Sequence, residues 1–145
     1  MKKVAFICYG NSCRSQIAEG LSLVLGKNLY QAYSAGTHPL GRISPEVYKI
    51  MERRGIDISD QYSKGLDAIP LHEADFVITM GCCSANQICP ASCSGTKIDW
   101  DIPDPYGRGI DEFERVSQII ERKLKDFIKE NFNQAELLGE IGCRL

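Results

Sequence analysis

Residues 3–26 read KVAFICYGNSCRSQIAEGLSLVLG and predict a strand, a short loop and a helix, in that order. The apolar run 4–7 suits a strand that is buried on both faces. Apolar residues then recur at helical spacing through 15–25, and Gly26 suits the C-cap of that helix. The loop therefore ends at a helix N-terminus, where unpaired N–H groups and the helix dipole favour an anion.

The loop carries a thiol at Cys8 and a cation at Arg14. The N–H groups would stabilise a thiolate at Cys8, and the hydroxyl of Ser15 could donate to its sulfur. The planar guanidinium matches two oxygens of a tetrahedral anion. Gly10 allows a tight turn, and Asn11 tolerates unusual dihedrals. The loop predicts an oxyanion site with a sulfur nucleophile, although a structural cysteine followed by a chance arginine is the alternative. The residues expected around the anion are Tyr9, Gly10, Asn11, Ser12, Cys13 and Arg14.

Strand-like and helix-like runs alternate along the chain. The strand-like runs are 3–8, 30–34, 75–80 and 97–100, and the helix-like runs are 15–25, 45–54, 111–131 and 134–140. Alternation predicts an α/β fold with a parallel sheet covered on both faces, and its ligand site at the carboxyl ends of the strands. Cys8, Cys82 and Asp104 each follow a predicted strand, so we expect them near one another. Ser44 and Pro45 are expected to be the N-cap and first residue of the second helix.

Composition limits the class of protein. The chain has 145 residues, of which 43% are hydrophobic and 25% charged, which suits one globular domain. A net charge of −2 gives no reason to expect nucleic-acid binding. We expect a cytoplasmic protein without membrane contact, because neither a secretory signal nor a membrane-spanning run is found. The seven cysteines then indicate redox chemistry or metal ligation rather than a static disulfide scaffold.

Three carboxylates lie at or after the fourth predicted strand, at Asp99, Asp101 and Asp104. Prolines flank Asp104 and hold the segment extended, and a rigid segment can present one carboxyl to a leaving group. Asp99 and Asp101 are rivals on composition alone, although we expect both to be structural. Tyr106 is expected to wall the mouth of the pocket.

Three segments resemble the low-molecular-weight tyrosine phosphatase superfamily, which includes the thioredoxin-coupled arsenate reductases. They are the loop and helix start at 8–20, Ser34-Ala35-Gly36-Thr37 at 34–37, and Asp104-Pro105-Tyr106 at 104–106. The match runs through about 2–130, which leaves the tail 133–145 unassigned.

This resemblance implies a single domain over 1–145, a three-layer, phosphatase-I-like sandwich with four parallel strands in the order 2-1-3-4. It also implies that Cys8 is the nucleophile, that Arg14 binds the anion and that Asp104 is the general acid.

The segment 81–93, which reads GCCSANQICPASC, separates the two branches of the superfamily. A phosphatase needs one nucleophile and water, whereas an arsenate reductase must obtain two electrons from thiols. The beginning and end of this segment resemble the redox segment of the thioredoxin-coupled reductases. By that resemblance Cys82 attacks Cys8, and Cys89 then carries the disulfide to the surface. The implied partners are arsenate, with phosphate or sulfate as mimics, and thioredoxin or a similar dithiol protein; the chain is expected to be a monomer.

Several alternatives remain open at this level. Cys83 could replace Cys82, and Cys93 could replace Cys89; all four could instead bind zinc or be inert. The chain could also be a phosphatase that works through a phosphocysteine, or a thiol-rich domain that binds arsenic or a metal. Cys13, inside the loop, is expected to be structural or protective, and Cys143 incidental.

The potassium site of some reductases uses an asparagine, a glutamate and a serine that match Asn11, Glu19 and Ser34. Lys64 stands near the position of a fourth ligand, an aspartate, and its ammonium could replace the cation. No bound potassium is therefore predicted. No other metal and no organic cofactor is expected either. The sequence shows no partners for the two histidines, His38 and His72, which are expected in surface loops; Trp100 is expected in the core.

Overall fold

The computed structural model describes residues 1–89 and 93–132. Four parallel strands form one sheet in the order β2-β1-β3-β4, which confirms the predicted fold. The strands are β1 Lys2–Cys8, β2 Tyr30–Gly36, β3 Phe76–Thr79 and β4 Thr96–Asp99. In this register Cys8 lies opposite Gly36, and Ile7 lies opposite Thr79. The carboxyl ends of the three strands that precede the candidate site residues therefore meet at one edge.

The helices are α1 Arg14–Leu25, α2 Pro45–Arg53, α3 Ala85–Ile88 and α4 Ile110–Asn131, with short 3-10 turns at Leu66–Ala68 and Leu71–Glu73. The bounds of α1, α2 and α4 agree with the predicted runs to within one residue. The short α3 was not predicted, and the helix predicted at 134–140 lies outside the described residues. No helix in the described ranges is long and apolar enough to cross a bilayer.

The sheet is covered on both faces, as predicted. Alternate side chains of β1 serve two separate cores: Val4 and Phe6 pack with α1, α2 and α4, whereas Ala5 and Ile7 pack beneath α3 and the 3-10 turns. All four side chains are buried, which confirms the expectation from their apolar run. Trp100 is also buried, beside Phe6, as predicted.

Candidate active site

The loop between β1 and α1 is held from outside by the segment that follows β2. Backbone N–H groups of that segment donate to loop carbonyls: Thr37 to Cys8 (3.1 Å), His38 to Tyr9 (2.8 Å), Leu40 to Gly10 (3.0 Å) and Ser44 to Ser12 (3.1 Å). Carbonyls that point outward leave the N–H groups of a curled loop on its concave side, which forms an anion-binding nest. The N-terminus of α1 opens onto the same space and has no side-chain cap.

Two glycines make room for this loop. Asn11 takes an unusual dihedral, as predicted, with a φ of +48°, whereas Gly10 does not have a positive φ. Gly10 is needed for space, because a Cβ there would lie 2.8 Å from Leu40 Cγ. A Cβ on Gly36 would lie 2.6 Å from the carbonyl oxygen of Tyr9, so the end of β2 can approach the loop only as glycine.

The side chain of Asn11 orients the hydroxyl that faces the thiol of Cys8. Its Oδ1 accepts from the backbone N–H of Lys64 at 2.9 Å, which fixes the orientation of the amide. Its Nδ2 therefore donates to Ser15 Oγ at 2.8 Å and to Ser34 Oγ at 3.0 Å. Ser15 Oγ lies 2.8 Å from Cys8 Sγ, and its own proton is left to donate to that sulfur. This hydrogen bond holds the Ser15 hydroxyl against the sulfur of Cys8.

The ammonium of Lys64 lies among residues that match the potassium ligands of some reductases. Lys64 Nζ is 3.6 Å from Glu19 Oε1 and 3.4 Å from Ser34 Oγ, and it donates to the carbonyl of Tyr62 at 3.0 Å. Ser34 donates a further hydrogen bond to Glu19. The positive charge thus contacts two of the three residues that match potassium ligands.

Arg14 is buried and held by two backbone carbonyls. Its Nη1 donates to Met80 at 2.7 Å and to Ile102 at 3.2 Å, and its Nη2 lies 3.7 Å from Asp104 Oδ2. Gly81 has a φ of +96°, and a Cβ there would lie 2.9 Å from Arg14 Nη1. The segments that follow β3 and β4 therefore fix the guanidinium at the edge of the loop.

The structure separates the three candidate carboxylates. Asp104 faces the loop, with its side chain 55% exposed, and its Oδ1 accepts from the N–H of Tyr106 at 3.1 Å. Asp99 instead accepts from the N–H of Ala85 at 2.8 Å and so anchors the start of α3. Asp101 is exposed and does not line the cavity described next.

The loop, Asp104 and Tyr106 enclose one cavity of about 270 Å³. Its lining residues are Cys8, Tyr9, Gly10, Ser12, Cys13, Arg14, Leu40, Asp104 and Tyr106. Leu40 was missed, because nothing in the sequence marks an exposed leucine as part of a site. His38 is exposed in a loop, as predicted, and its ring stacks on Tyr9 with centroids 4.5 Å apart.

Cys13 is a buried free thiol beside the nucleophile. Burial raises its pKa to about 11, and the negative charge of Asp104 acts in the same direction. Ser44 Oγ lies 3.2 Å from Cys13 Sγ and 3.1 Å from Ser12 Oγ. Ser44 is the N-cap of α2 and Pro45 its first residue, as predicted, but the Ser44 hydroxyl supports the loop instead of capping the helix.

The other four described cysteines form two disulfides, Cys82–Cys83 and Cys89–Cys93. The pairing of Cys82 with Cys89 that the resemblance implied is not the one in the structure. Cys82 Sγ lies 3.9 Å from the carbonyl oxygen of Ile7. All four side chains nevertheless belong to the second core, across the sheet from the core that contains Cys8. None of them lines the cavity, so the structure brings them to the same sheet edge but not into the pocket.

The zinc alternative concerns only the reduced cysteines, because disulfide sulfurs are not thiolate ligands. Within the described residues, no group of three or more His, Cys, Asp or Glu side chains is placed to hold a metal ion. His72 is exposed, as predicted, but it lies in the 3-10 turn Leu71–Glu73, and its Nδ1 is 3.6 Å from Cys93 Sγ.

The fold and site define an α/β protein in which Cys8 and Arg14 line a loop shaped to bind an oxyanion. The chain belongs to the family described as low molecular weight phosphotyrosine protein phosphatase, which matches residues 3–137. It is 37% identical to an arsenate reductase of Brevibacillus brevis over 127 residues, 87% of this chain and 93% of that protein. These findings confirm the resemblance seen in the sequence.

Two solved structures are similar over 90% of the chain. One is an arsenate reductase in the phosphate binding state, with a TM-score of 0.78, 32% identity and 98% of that chain covered. The other is a thioredoxin-dependent arsenate reductase from Corynebacterium glutamicum, with a TM-score of 0.73, 33% identity and 61% of that chain covered.

Proposed function

We propose that this chain reduces arsenate to arsenite and that its own thiols supply both electrons. The observation that carries this proposal is the four-cysteine segment at the end of β3. Cys82 Sγ lies 3.9 Å from the carbonyl of Ile7, the residue before the nucleophile Cys8. A phosphatase that finishes with water has no use for these thiols. The arsenate reductases that resemble the chain over most of its length support the same substrate.

The first step uses the loop and Asp104. Arsenate is a tetrahedral oxyanion, and it is bound by the loop N–H groups and by Arg14, which also stabilise the charge that develops in the transition state. The Cys8 thiolate forms a sulfur–arsenic bond. Asp104 gives its proton to the departing oxygen, which leaves as water.

The second step moves two electrons to arsenic. Cys82 attacks Cys8 Sγ, so that a Cys8–Cys82 disulfide forms and the sulfur–arsenic bond breaks. Its electron pair stays on arsenic, which leaves as arsenite. Cys89 then attacks Cys82 and frees Cys8, by ordinary thiol–disulfide exchange. The segment after β3 must move for this to happen, since Cys82 lies outside the cavity.

The thiols are restored by thioredoxin or a similar dithiol protein, in a cytoplasmic setting, with the chain acting as a monomer. The test supplies arsenate, thioredoxin, thioredoxin reductase and NADPH, and follows NADPH consumption. We expect no turnover from Cys8→Ser or Cys82→Ser, a large loss in Cys89→Ser and wild-type rates from the control Cys143→Ser. Wild-type turnover by both Cys82→Ser and Cys89→Ser would contradict the relay. Turnover that occurs only with glutathione and glutaredoxin would show that these, and not thioredoxin, supply the electrons.

Phosphatase activity is the second candidate, because Cys8, Arg14 and Asp104 would serve it equally well. It would end with water attacking a phosphocysteine rather than with Cys82. Hydrolysis of an aryl phosphate by a chain that leaves arsenate unreduced would favour this candidate. If the chain showed neither activity but bound arsenite tightly, it would instead be a thiol-rich binding domain.

A further inference from the structure

The two disulfides at the end of β3 account for four thiols, two more than one arsenate reduction consumes. We infer that Cys82–Cys83 and Cys89–Cys93 are two dithiol couples in series, so that one fully reduced chain reduces two arsenates before any donor acts. This inference rests on the proposed function, since it gives a role in that reaction to every cysteine in the segment.

The position of each couple sets its place in the series. Cys82, with Cys83 beside it, is next to the strand that ends at the nucleophile, through its contact with the carbonyl of Ile7. This is the proximal couple. The distal couple, Cys89–Cys93, begins just after α3 and is buried. The helix α3 lies between the couples.

The anchoring of α3 keeps the two couples apart. Ser84 and Gln87 form a reciprocal capping box at its start, and Asp99 accepts from the N–H of Ala85. An anchored helix favours the two neighbouring pairings over the longer pairing of Cys82 with Cys89. That longer pairing is then a transient stage of exchange.

The distal couple has a polar contact at the protein surface. His72 is exposed, and its Nδ1 lies 3.6 Å from Cys93 Sγ. When an external thiolate attacks Cys89, the sulfur that leaves is Cys93, and an imidazole N–H can stabilise that thiolate. Cys89–Cys93 is therefore the couple that the donor protein reduces, once the segment after β3 has moved and uncovered the buried Cys89.

The electrons balance over two turnovers. In the first, Cys82 displaces arsenite from Cys8, Cys89 attacks Cys82, and Cys93 attacks Cys89; the product is Cys89–Cys93, with Cys82 and Cys83 again reduced. In the second, Cys82 again displaces arsenite and Cys83 attacks Cys82, which leaves Cys82–Cys83 and a free Cys8 thiol. Each turnover oxidises two thiols to one disulfide and reduces one arsenate.

The test counts the arsenite molecules that one chain produces without a donor, in a Cys143→Ser background. The chain is reduced, separated from the reductant under anaerobic conditions and mixed with excess arsenate. Arsenite, free thiols and disulfide-linked peptides are then measured. We expect two arsenites per chain, four thiols lost, and the pairs Cys82–Cys83 and Cys89–Cys93. One arsenite, two thiols lost and a single Cys82–Cys89 bond would overturn the inference.

Two variants sharpen the count. Cys93→Ser has lost the distal couple, so it should release one arsenite. Cys83→Ser should still release two, but its second turnover should stop at Cys8–Cys82, with Cys8 protected from alkylation. Equal counts and equal end products in the parent, Cys93→Ser and Cys83→Ser would also overturn the series.

A redox titration separates this inference from the proposed function. In Cys8→Ser, which cannot attack arsenate, the thiols should oxidise in two successive pairs in dithiothreitol buffers, as counted by alkylation. Oxidation of only one pair of thiols would overturn the inference of two dithiol couples. If the wild type produced no arsenite, with or without a donor, the proposed function would be overturned. The titration would still show whether the segment holds two dithiol couples.

Discussion

Arg14 Nη2 lies 3.7 Å from Asp104 Oδ2 at the mouth of the cavity. The two partners differ sharply in freedom: Arg14 is buried and held by backbone carbonyls, whereas Asp104 is 55% exposed. An ion pair open to solvent contributes little stability. The arrangement instead leaves Asp104 able to turn from the fixed cation toward a leaving oxygen.

Asp104→Asn should reduce the rate of arsenate reduction by about 100- to 1000-fold, in the range expected for loss of a general acid. Phosphate should still bind, because the loop and Arg14 are intact, and thermal unfolding should change little. Asp101→Asn is the control, since that carboxylate is exposed and does not line the cavity. Equal losses in the two variants would show that the acid is not Asp104.

Ser15→Ala should slow the alkylation of Cys8 by iodoacetamide at pH 7. The hydroxyl lies 2.8 Å from Cys8 Sγ. A hydrogen bond to a charged group contributes about 1.5–3 kcal/mol, which corresponds to roughly a tenfold to hundredfold loss of rate. Mass spectrometry of the Cys8 peptide gives the rate, and phosphate should protect Cys8 in the wild type. The exposed Ser59→Ala is the control; equal alkylation rates in the two variants would show that the Ser15 hydroxyl does not activate Cys8.

Cys13 should make the protein less stable at alkaline pH. Burial raises its pKa to about 11 from an ordinary value of 9.0, so the folded state keeps a proton that the unfolded state loses. Its contribution is complete below pH 9 and falls as the pH rises toward 11, by up to about 3 kcal/mol. Denaturant unfolding of wild type and Cys13→Ala between pH 8 and 11 should show a flatter profile for the variant. Parallel profiles would assign the alkaline loss to other groups.

The sequence predicted the parts of the site that depend on local pattern and strand order. A buried run before Cys8 and helical spacing after Arg14 define the loop, and a parallel sheet brings Asp104 to the same edge. The helix α3 was missed because four residues are too short to show a period. Which cysteines pair was also beyond the sequence, since pairing depends on the path of the chain between them.

The contacts that correct the sequence analysis join residues far apart in the chain. Ser44 has a typical N-cap position, but Ser12 and Cys13 lie close enough to bind its hydroxyl, so tertiary structure overrides the local preference. The partner of His72 lies 21 residues away at Cys93. Lys64 is an exception among these long-range contacts, because the match to the potassium ligands already placed it near Glu19 and Ser34.

Arsenate reduction should not depend on potassium, because the ammonium of Lys64 lies 3.6 Å from Glu19 Oε1. Replacing potassium with sodium at constant ionic strength should leave wild-type rates unchanged. Lys64→Met leaves a mostly buried Glu19 without its cation, and it should lower the free energy of unfolding by about 3 kcal/mol. Stimulation of the wild type by potassium would contradict the prediction.

Gly36→Ala should damage the oxyanion loop from the neighbouring strand. The new Cβ would lie 2.6 Å from the carbonyl oxygen of Tyr9 and 2.8 Å from the backbone nitrogen of Asn11, so the loop must shift. Overpacking of this kind costs about 1–3 kcal/mol, and a shifted nest should bind phosphate at least tenfold more weakly, as measured by calorimetry. Gly65→Ala is the matched control, because Gly65 bridges to Gly36 but its Cβ would meet nothing nearer than 3.5 Å. If Gly36→Ala binds phosphate as tightly as Gly65→Ala does, the close approach of β2 does not shape the loop.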